Sequence, residues 1–121
     1  MNIEKIVRVS ELLDFYGGLL TEKQREAMEL YYNEDLSLSE ISENLGISRQ
    51  AVYDTIKRSQ KSLEEYESKI GLLDRFSVQE KKLEKLHELI KNAVSELDSK
   101  DVDRLKDSLI GAENFCRELL R

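Results

Sequence analysis

The stretch SLSEISENLGISRQAVYDTIKRS, residues 37–59, has the pattern of two short helices joined by a tight turn. Ser37 and Glu40 have the spacing of a capping box, which predicts the start of the first helix. Gly46 supplies the left-handed backbone that ends such a helix, and Ser48 is placed to cap the next one. The stretch therefore predicts a helix-turn-helix.

Apolar residues at helical spacing would fix both helices to a core. The inward positions are Leu38, Ile41 and Leu45 in the first helix, and Ala51, Val52 and Ile56 in the second. Ser42 is small enough for the point where the two helices approach, and we expect Ile47 to anchor the turn. The other positions of the second helix then face outward.

Those outward positions carry side chains suited to nucleic acid. In helix-turn-helix proteins the N-terminal residues of the second helix meet base edges. Arg49 suits guanine and Gln50 suits adenine, while Ser48 lies at a helix N-terminus, where phosphate binds readily. The predicted nucleic-acid-binding residues are Ser48, Arg49, Gln50, Tyr53, Lys57, Arg58 and Lys61.

Helical patterns also cover the chain before this stretch and directly after it. An apolar stripe runs from Ile3 to Tyr16, and Thr21 begins a further capping box whose helix should reach about Asn33. The second helix of the motif meets no interruption until Gly71. The pattern predicts no strand, and the fold class is all-α.

The C-terminal part changes to heptad spacing, which is typical of helices that pair. One series is Phe76, Leu83, Ile90 and Leu97 with Gln79, Leu86 and Ala93; the other is Val102, Leu105, Leu109, Ala112, Cys116 and Leu119. The two helices could form an antiparallel hairpin, pack onto the first half, or pair with another chain. We predict a helical bundle over residues 1–70 and a two-helix extension over residues 71–121, which is a candidate dimerisation element.

Composition excludes several classes of function. The 121 residues have no run long and apolar enough to span a membrane and no signal peptide, so we expect a soluble cytoplasmic protein. The lone Cys116 and lone His87 give no multi-cysteine metal site, and we expect the cysteine to pack as a small hydrophobe. Without a phosphate loop or a catalytic constellation, the prediction is a non-enzyme without cofactor or metal.

Two resemblances extend this interpretation. Residues 20–58 resemble region 4 of bacterial sigma factors, and residues 12–73 resemble the YlxM family of small bacterial helix-turn-helix proteins. The second resemblance rests on DFYGGLLT at 14–21 followed by GISRQAV at 46–52. It implies a regulatory protein whose gene lies beside that of the signal recognition particle GTPase, and hence a part in that targeting pathway.

Charge limits the kind of binding to expect. The chain carries a formal net charge of −6, yet residues 48–62 hold four basic side chains against Asp54 alone. Three or four phosphate contacts give modest affinity, so DNA binding would need a dimer or a partner protein. Two functions stay open: a factor of the signal recognition particle pathway that binds its RNA or its GTPase, and a homodimeric, sequence-specific DNA-binding transcriptional regulator.

Overall fold

The computed structural model describes residues 2–121, and within them the protein is all-α, as the sequence predicts. A short 3-10 turn, Gly17–Leu19, follows the first helix. The chain divides into two compact units, of which the first ends at Asp74 and the second comprises Arg75–Arg121. The helices are α1 Ile3–Tyr16, α2 Glu22–Tyr32, α3 Leu38–Leu45, α4 Arg49–Ile70, α5 Leu72–Leu97 and α6 Val102–Leu119.

Side-chain caps set where the helices begin. Both predicted capping boxes are present: Thr21 and Gln24 exchange hydrogen bonds at the start of α2, and Ser37 and Glu40 do so at the start of α3. The Ser48 hydroxyl accepts a hydrogen bond from the Ala51 N–H at the start of α4. Each cap satisfies backbone N–H groups that have no partner inside the helix, so these boundaries are fixed locally.

Left-handed glycines end two of the helices. Gly46 has φ +67° after α3, and Gly71 has φ +70° after α4. A side chain would clash with the backbone in this conformation, which is why glycine is favoured there. The two predicted breaks at these glycines are confirmed.

Helix α4 is the centre of the first unit, because α1, α2 and α3 all pack against it. Its buried stripe consists of Val52, Ile56, Ser59 and Leu63. The predicted inward positions Val52 and Ile56 are confirmed, whereas Ser59 and Leu63 were not predicted. Ser59 is fully buried but its hydroxyl donates to the Thr55 carbonyl, so burial leaves no unpaired donor.

The other helices bring a matching set of apolar side chains to this core. The largest fully buried ones outside α4 are Tyr16, Leu12, Met28 and Ile41. Tyr31 and Tyr32 pack at the edge of the core with an edge-to-face contact at 4.9 Å between ring centroids. These two tyrosines are therefore core-edge residues.

Hydrogen bonds to Glu67 and Tyr16 cap the start of α5, within the first unit. The Glu67 carboxylate accepts from the Tyr16 hydroxyl at 2.6 Å and from the N–H groups of Leu73 and Asp74. The Tyr16 oxygen in turn accepts from the Leu72 N–H. Burial alone would raise the pKa of Glu67, but these hydrogen bonds outweigh it and lower that pKa. Glu67 thus caps α5 from the preceding helix.

The second unit is an antiparallel pair formed within one chain by α5 and α6. Ser108 donates to Glu96 near one end of the pair, and the Lys85 Nζ lies 4.7 Å from the Phe115 ring centroid near the other. Ala93 is buried, as is one residue of α6 that faces the same seam, Ala112.

Pairing within the chain leaves part of the heptad pattern uncovered, and the expectation that Cys116 packs as a small hydrophobe is wrong. Leu83, Ile90 and Leu97 remain about half exposed or more, and Cys116 is exposed rather than packed. The pair covers the side of the α5 seam that holds Ala93 and leaves the side with Leu83, Ile90 and Leu97 open to solvent. Ala93 is thus the buried residue of α5, and Ala112 that of α6.

Candidate nucleic-acid interface

The turn between α3 and α4 is held by hydrogen bonds to a single residue. The Ser42 hydroxyl donates to the Ile47 carbonyl at 2.5 Å, and the Ser42 carbonyl accepts from the N–H groups of Gly46 and Ile47. The prediction that Ile47 anchors the turn by burial is wrong, because its side chain is 40% exposed. Backbone hydrogen bonding and the left-handed Gly46 supply the constraint instead.

The first turn of α4 presents the predicted base-reading side chains together. Arg49, Gln50 and Tyr53 line one shallow open surface, and Leu38 from the start of α3 lies beside them. Ser48 is exposed next to them, although its hydroxyl is engaged in capping α4. The two helices of the motif therefore contribute to one continuous face.

Two side-chain contacts organise this face. The Gln50 amide nitrogen donates to an Asp54 carboxylate oxygen at 3.0 Å, and the Lys57 Nζ lies 5.6 Å from the Tyr53 ring centroid. Asp54 holds the Gln50 amide in one orientation while leaving one N–H and the carbonyl oxygen unused. Those two groups are what a bidentate contact with adenine requires.

Further along α4 the basic residues separate. Lys57 and Lys61 turn toward α1 and border a cleft of about 300 Å³ between the two helices. Arg58 lies about 100° further around α4 by helical periodicity and does not line this cleft. The structure thus groups Lys57 with Lys61 and leaves Arg58 exposed on the flank of the helix.

Two basic residues of α1 that sequence reasoning missed lie at the same cleft, Lys5 and Arg8. The Arg8 guanidinium makes two 2.8 Å bonds to the Glu64 carboxylate of α4. This hydrogen bonding raises the pKa of Arg8 and lowers the pKa of Glu64. The sequence could have indicated these two residues, because the spacing of Lys5 and Arg8 places two cations one turn apart on α1.

Charge in the first unit is strongly segregated along the chain. Residues 26–48, which include most of α2 and all of α3, hold six acidic side chains and no basic one. Residues 48–62 carry a net charge of +3.

Among residues 2–121 there is no group of three or more His, Cys, Asp and Glu side chains that could hold a metal ion. In the same part of the chain no helix has the length and apolarity that crossing a membrane requires.

Comparison with known proteins gives a consistent result. A family described as "Putative helix-turn-helix protein, YlxM / p13 like" matches residues 3–104. Proteins named UPF0122 from Bacillus thuringiensis (strain Al Hakam), Bacillus cereus (strain Q1) and Bacillus anthracis (strain A0248) are each 53% identical to it over 88 residues. The matched region covers 73% of this chain and 80% of each relative. The chain belongs to the UPF0122 family of YlxM/p13-like helix-turn-helix proteins.

Proposed function

We propose that the chain is a regulatory protein that binds nucleic acid through the exposed face of α4. The observation that carries the proposal is the shared surface of Arg49, Gln50 and Tyr53 at the start of a capped second helix. Arg49 and Gln50 contact base edges there, and Tyr53 packs beside them. Phosphates are contacted by the Ser48 end of the helix and by Lys57, Arg58 and Lys61.

The charge of this face sets its affinity. Each phosphate neutralised contributes about −0.9 to the slope of log K against log salt on duplex DNA, so three or four contacts give a slope of about −3 to −4. Such a slope belongs to a weak monomeric binder. A homodimer doubles the contacts, and the exposed row Leu83, Ile90 and Leu97 on α5 supports a second copy as the source of them.

A binding assay with matched variants tests the base-reading role. Fluorescence anisotropy on duplexes selected from a random library should show that Arg49→Ala weakens binding by about 5- to 150-fold, the range for one good bidentate base contact. Arg25→Ala removes the same charge from the exposed surface of α2 and serves as the control. Equal affinities of the two variants would contradict the proposal.

Light scattering on the wild type and on Leu83→Lys tests the homodimer.

A second candidate function is a part in the signal recognition particle pathway in the cytoplasm. The YlxM resemblance supports it, and so does the acidic segment 26–48, which would complement a basic surface on the particle's GTPase. Here the basic residues of α4 bind the particle RNA. Duplex DNA and particle RNA should be compared at two salt concentrations, with GTP turnover measured alongside. Preference for duplex DNA with unchanged turnover would exclude this role.

A further inference from the structure

The cleft between α1 and α4 concentrates positive charge in an acidic protein. Its lining residues are Lys5, Arg8, Val9, Lys57, Gln60, Lys61 and Glu64. Four of these side chains are basic and one is acidic, which gives a local charge of +3 against −6 for the whole chain. Among residues 2–121 the ion pairs are Arg8 with Glu64 and Arg117 with Glu113. The three lysines of the cleft therefore lack an ion-pair partner in that part of the chain.

The single acid of the cleft is already occupied. Both oxygens of Glu64 are bonded to Arg8 at 2.8 Å, so this carboxylate is held in a fixed pair. Arg8 is also under the electrostatic influence of Glu67 and Glu11, which makes it a poor ligand for an incoming anion. Arg8 therefore neutralises Glu64, and the ammonium groups of the three cleft lysines stay available to an anion.

Lys57 connects the cleft to the surface formed by Arg49, Gln50 and Tyr53. Lys57 contacts the Tyr53 ring on one side and borders the cleft on the other. Lys61 follows Arg49 by twelve residues, or about 18 Å along the helix axis. The major groove is only about 12 Å wide, so with the start of α4 at the bases, residues 18 Å away reach the phosphates at the groove edge.

We infer that this cleft is a phosphate site that binds the nucleic-acid backbone, with Lys5, Lys57 and Lys61 as its ligands. The inference rests on the proposed function and deepens it, because α1 becomes part of the binding surface. Lysine binds phosphate as a point charge and needs no planar partner, which suits three ammonium groups around one open cleft. Arg8 is a positioning residue that keeps Glu64 from cancelling a lysine.

Charge variants on both helices test the site. Lys5→Gln should reduce the magnitude of the salt slope by about 0.9 on duplex DNA, and Lys23→Gln, which neutralises an exposed lysine of α2, should leave the slope unchanged. Glu64→Gln should tighten binding severalfold, because it removes the only acid of the cleft. A contact that merely stabilised the fold would give no such gain. Equal slopes for Lys5→Gln and Lys23→Gln, or weaker binding by Glu64→Gln, would overturn the inference.

The positioning role of Arg8 has its own test. Arg8→Gln releases Glu64 into the cleft and should weaken binding, and the double variant Arg8→Gln/Glu64→Gln should recover wild-type affinity within about twofold. Circular dichroism on each variant confirms that it is folded. Failure of the double variant to recover would refute the positioning role.

A phosphate probe that is not a nucleic acid separates this inference from the proposed function. In an NMR titration with tripolyphosphate, the side-chain signals of Lys5 and Lys61 should shift in the wild type, and the Lys61 shift should shrink in Lys5→Gln. If these shifts are absent, the cleft is not a phosphate site, even if Arg49→Ala weakens duplex binding. Shifts without any duplex or RNA binding overturn the nucleic-acid ligand and the proposed function together. Tighter binding of poly-glutamate than of duplex would assign the cleft to an acidic protein and refute the inference.

Discussion

Replacing Gly46 by alanine should destabilise the first unit through the backbone alone. Gly46 has φ +67°, where an L-residue costs about 1–2 kcal/mol, and a Cβ added there would meet no atom within 4 Å. Gly18 has equally open surroundings without a left-handed φ. Both substitutions lower the entropy of the unfolded chain by a similar amount, worth about 0.4–1 kcal/mol. That contribution cancels in the comparison, so Gly46→Ala should be about 1–2 kcal/mol less stable than Gly18→Ala.

Tyrosine fluorescence during urea unfolding measures this difference. The protein has no tryptophan, and its five tyrosines all lie in the first unit. The midpoint should fall for Gly46→Ala and rise for Gly18→Ala, with unchanged m-values. In thermal unfolding, a difference of 1 kcal/mol corresponds to about 4–8 °C for a domain of this size. Gly46→Asn should fall between wild type and alanine, since asparagine tolerates the left-handed region better.

Coincident midpoints for Gly46→Ala and Gly18→Ala would refute the reasoning, because they would mean that the turn does not require its left-handed residue. A change in m-value would instead show that the substitution altered the folded or unfolded state itself. The Ser42 bonds would be expected to keep the turn in place even in the strained variant.

Three other outcomes are expected. Ser37→Ala removes one half of the α3 capping box and should lower the free energy of unfolding by about 0.5–2 kcal/mol in the same fluorescence assay. Leu63→Ala opens a cavity at a fully buried position and should cost about 2–5 kcal/mol, whereas Leu83→Ala at a 59% exposed position should cost little in circular-dichroism melts. Because the folded state lowers the pKa of Glu67, its contribution to stability is present above about pH 4.5 and is lost as pH falls through the lowered value. Glu67→Gln should therefore flatten the acid side of the stability profile measured by urea titrations.

The sequence predicts the boundaries of this fold well because the boundaries are local. Thr21 and Ser37 form their capping boxes with residues only three positions away, and Gly46 and Gly71 end helices through their own backbone angles. No knowledge of the tertiary structure is needed to recognise either device. The same holds for the start of the candidate site, since Ser48 caps its own helix.

The α1–α4 cleft could not be predicted in this way. Arg8 and Glu64 are 56 positions apart, and nothing in either segment indicates that they meet. A heptad pattern likewise marks an apolar a/d seam on α5 without saying which side of it a partner covers. The buried stripe is the one with Ala93, and the larger Leu83 stays exposed.

The acidity of the chain is compatible with sequence-selective binding under the proposed function. Non-specific binding to DNA is almost wholly electrostatic, so a protein with a net charge of −6 binds random sequences weakly. Base contacts from Arg49 and Gln50 are short-range hydrogen bonds, so they depend less on the net charge of the chain than phosphate contacts do. The segregation of acid into residues 26–48 and of base into α4 and the cleft therefore penalises random sites more than a matched site. On this reasoning, neutralising the acidic segment should raise overall affinity and lower the ratio of specific to non-specific binding.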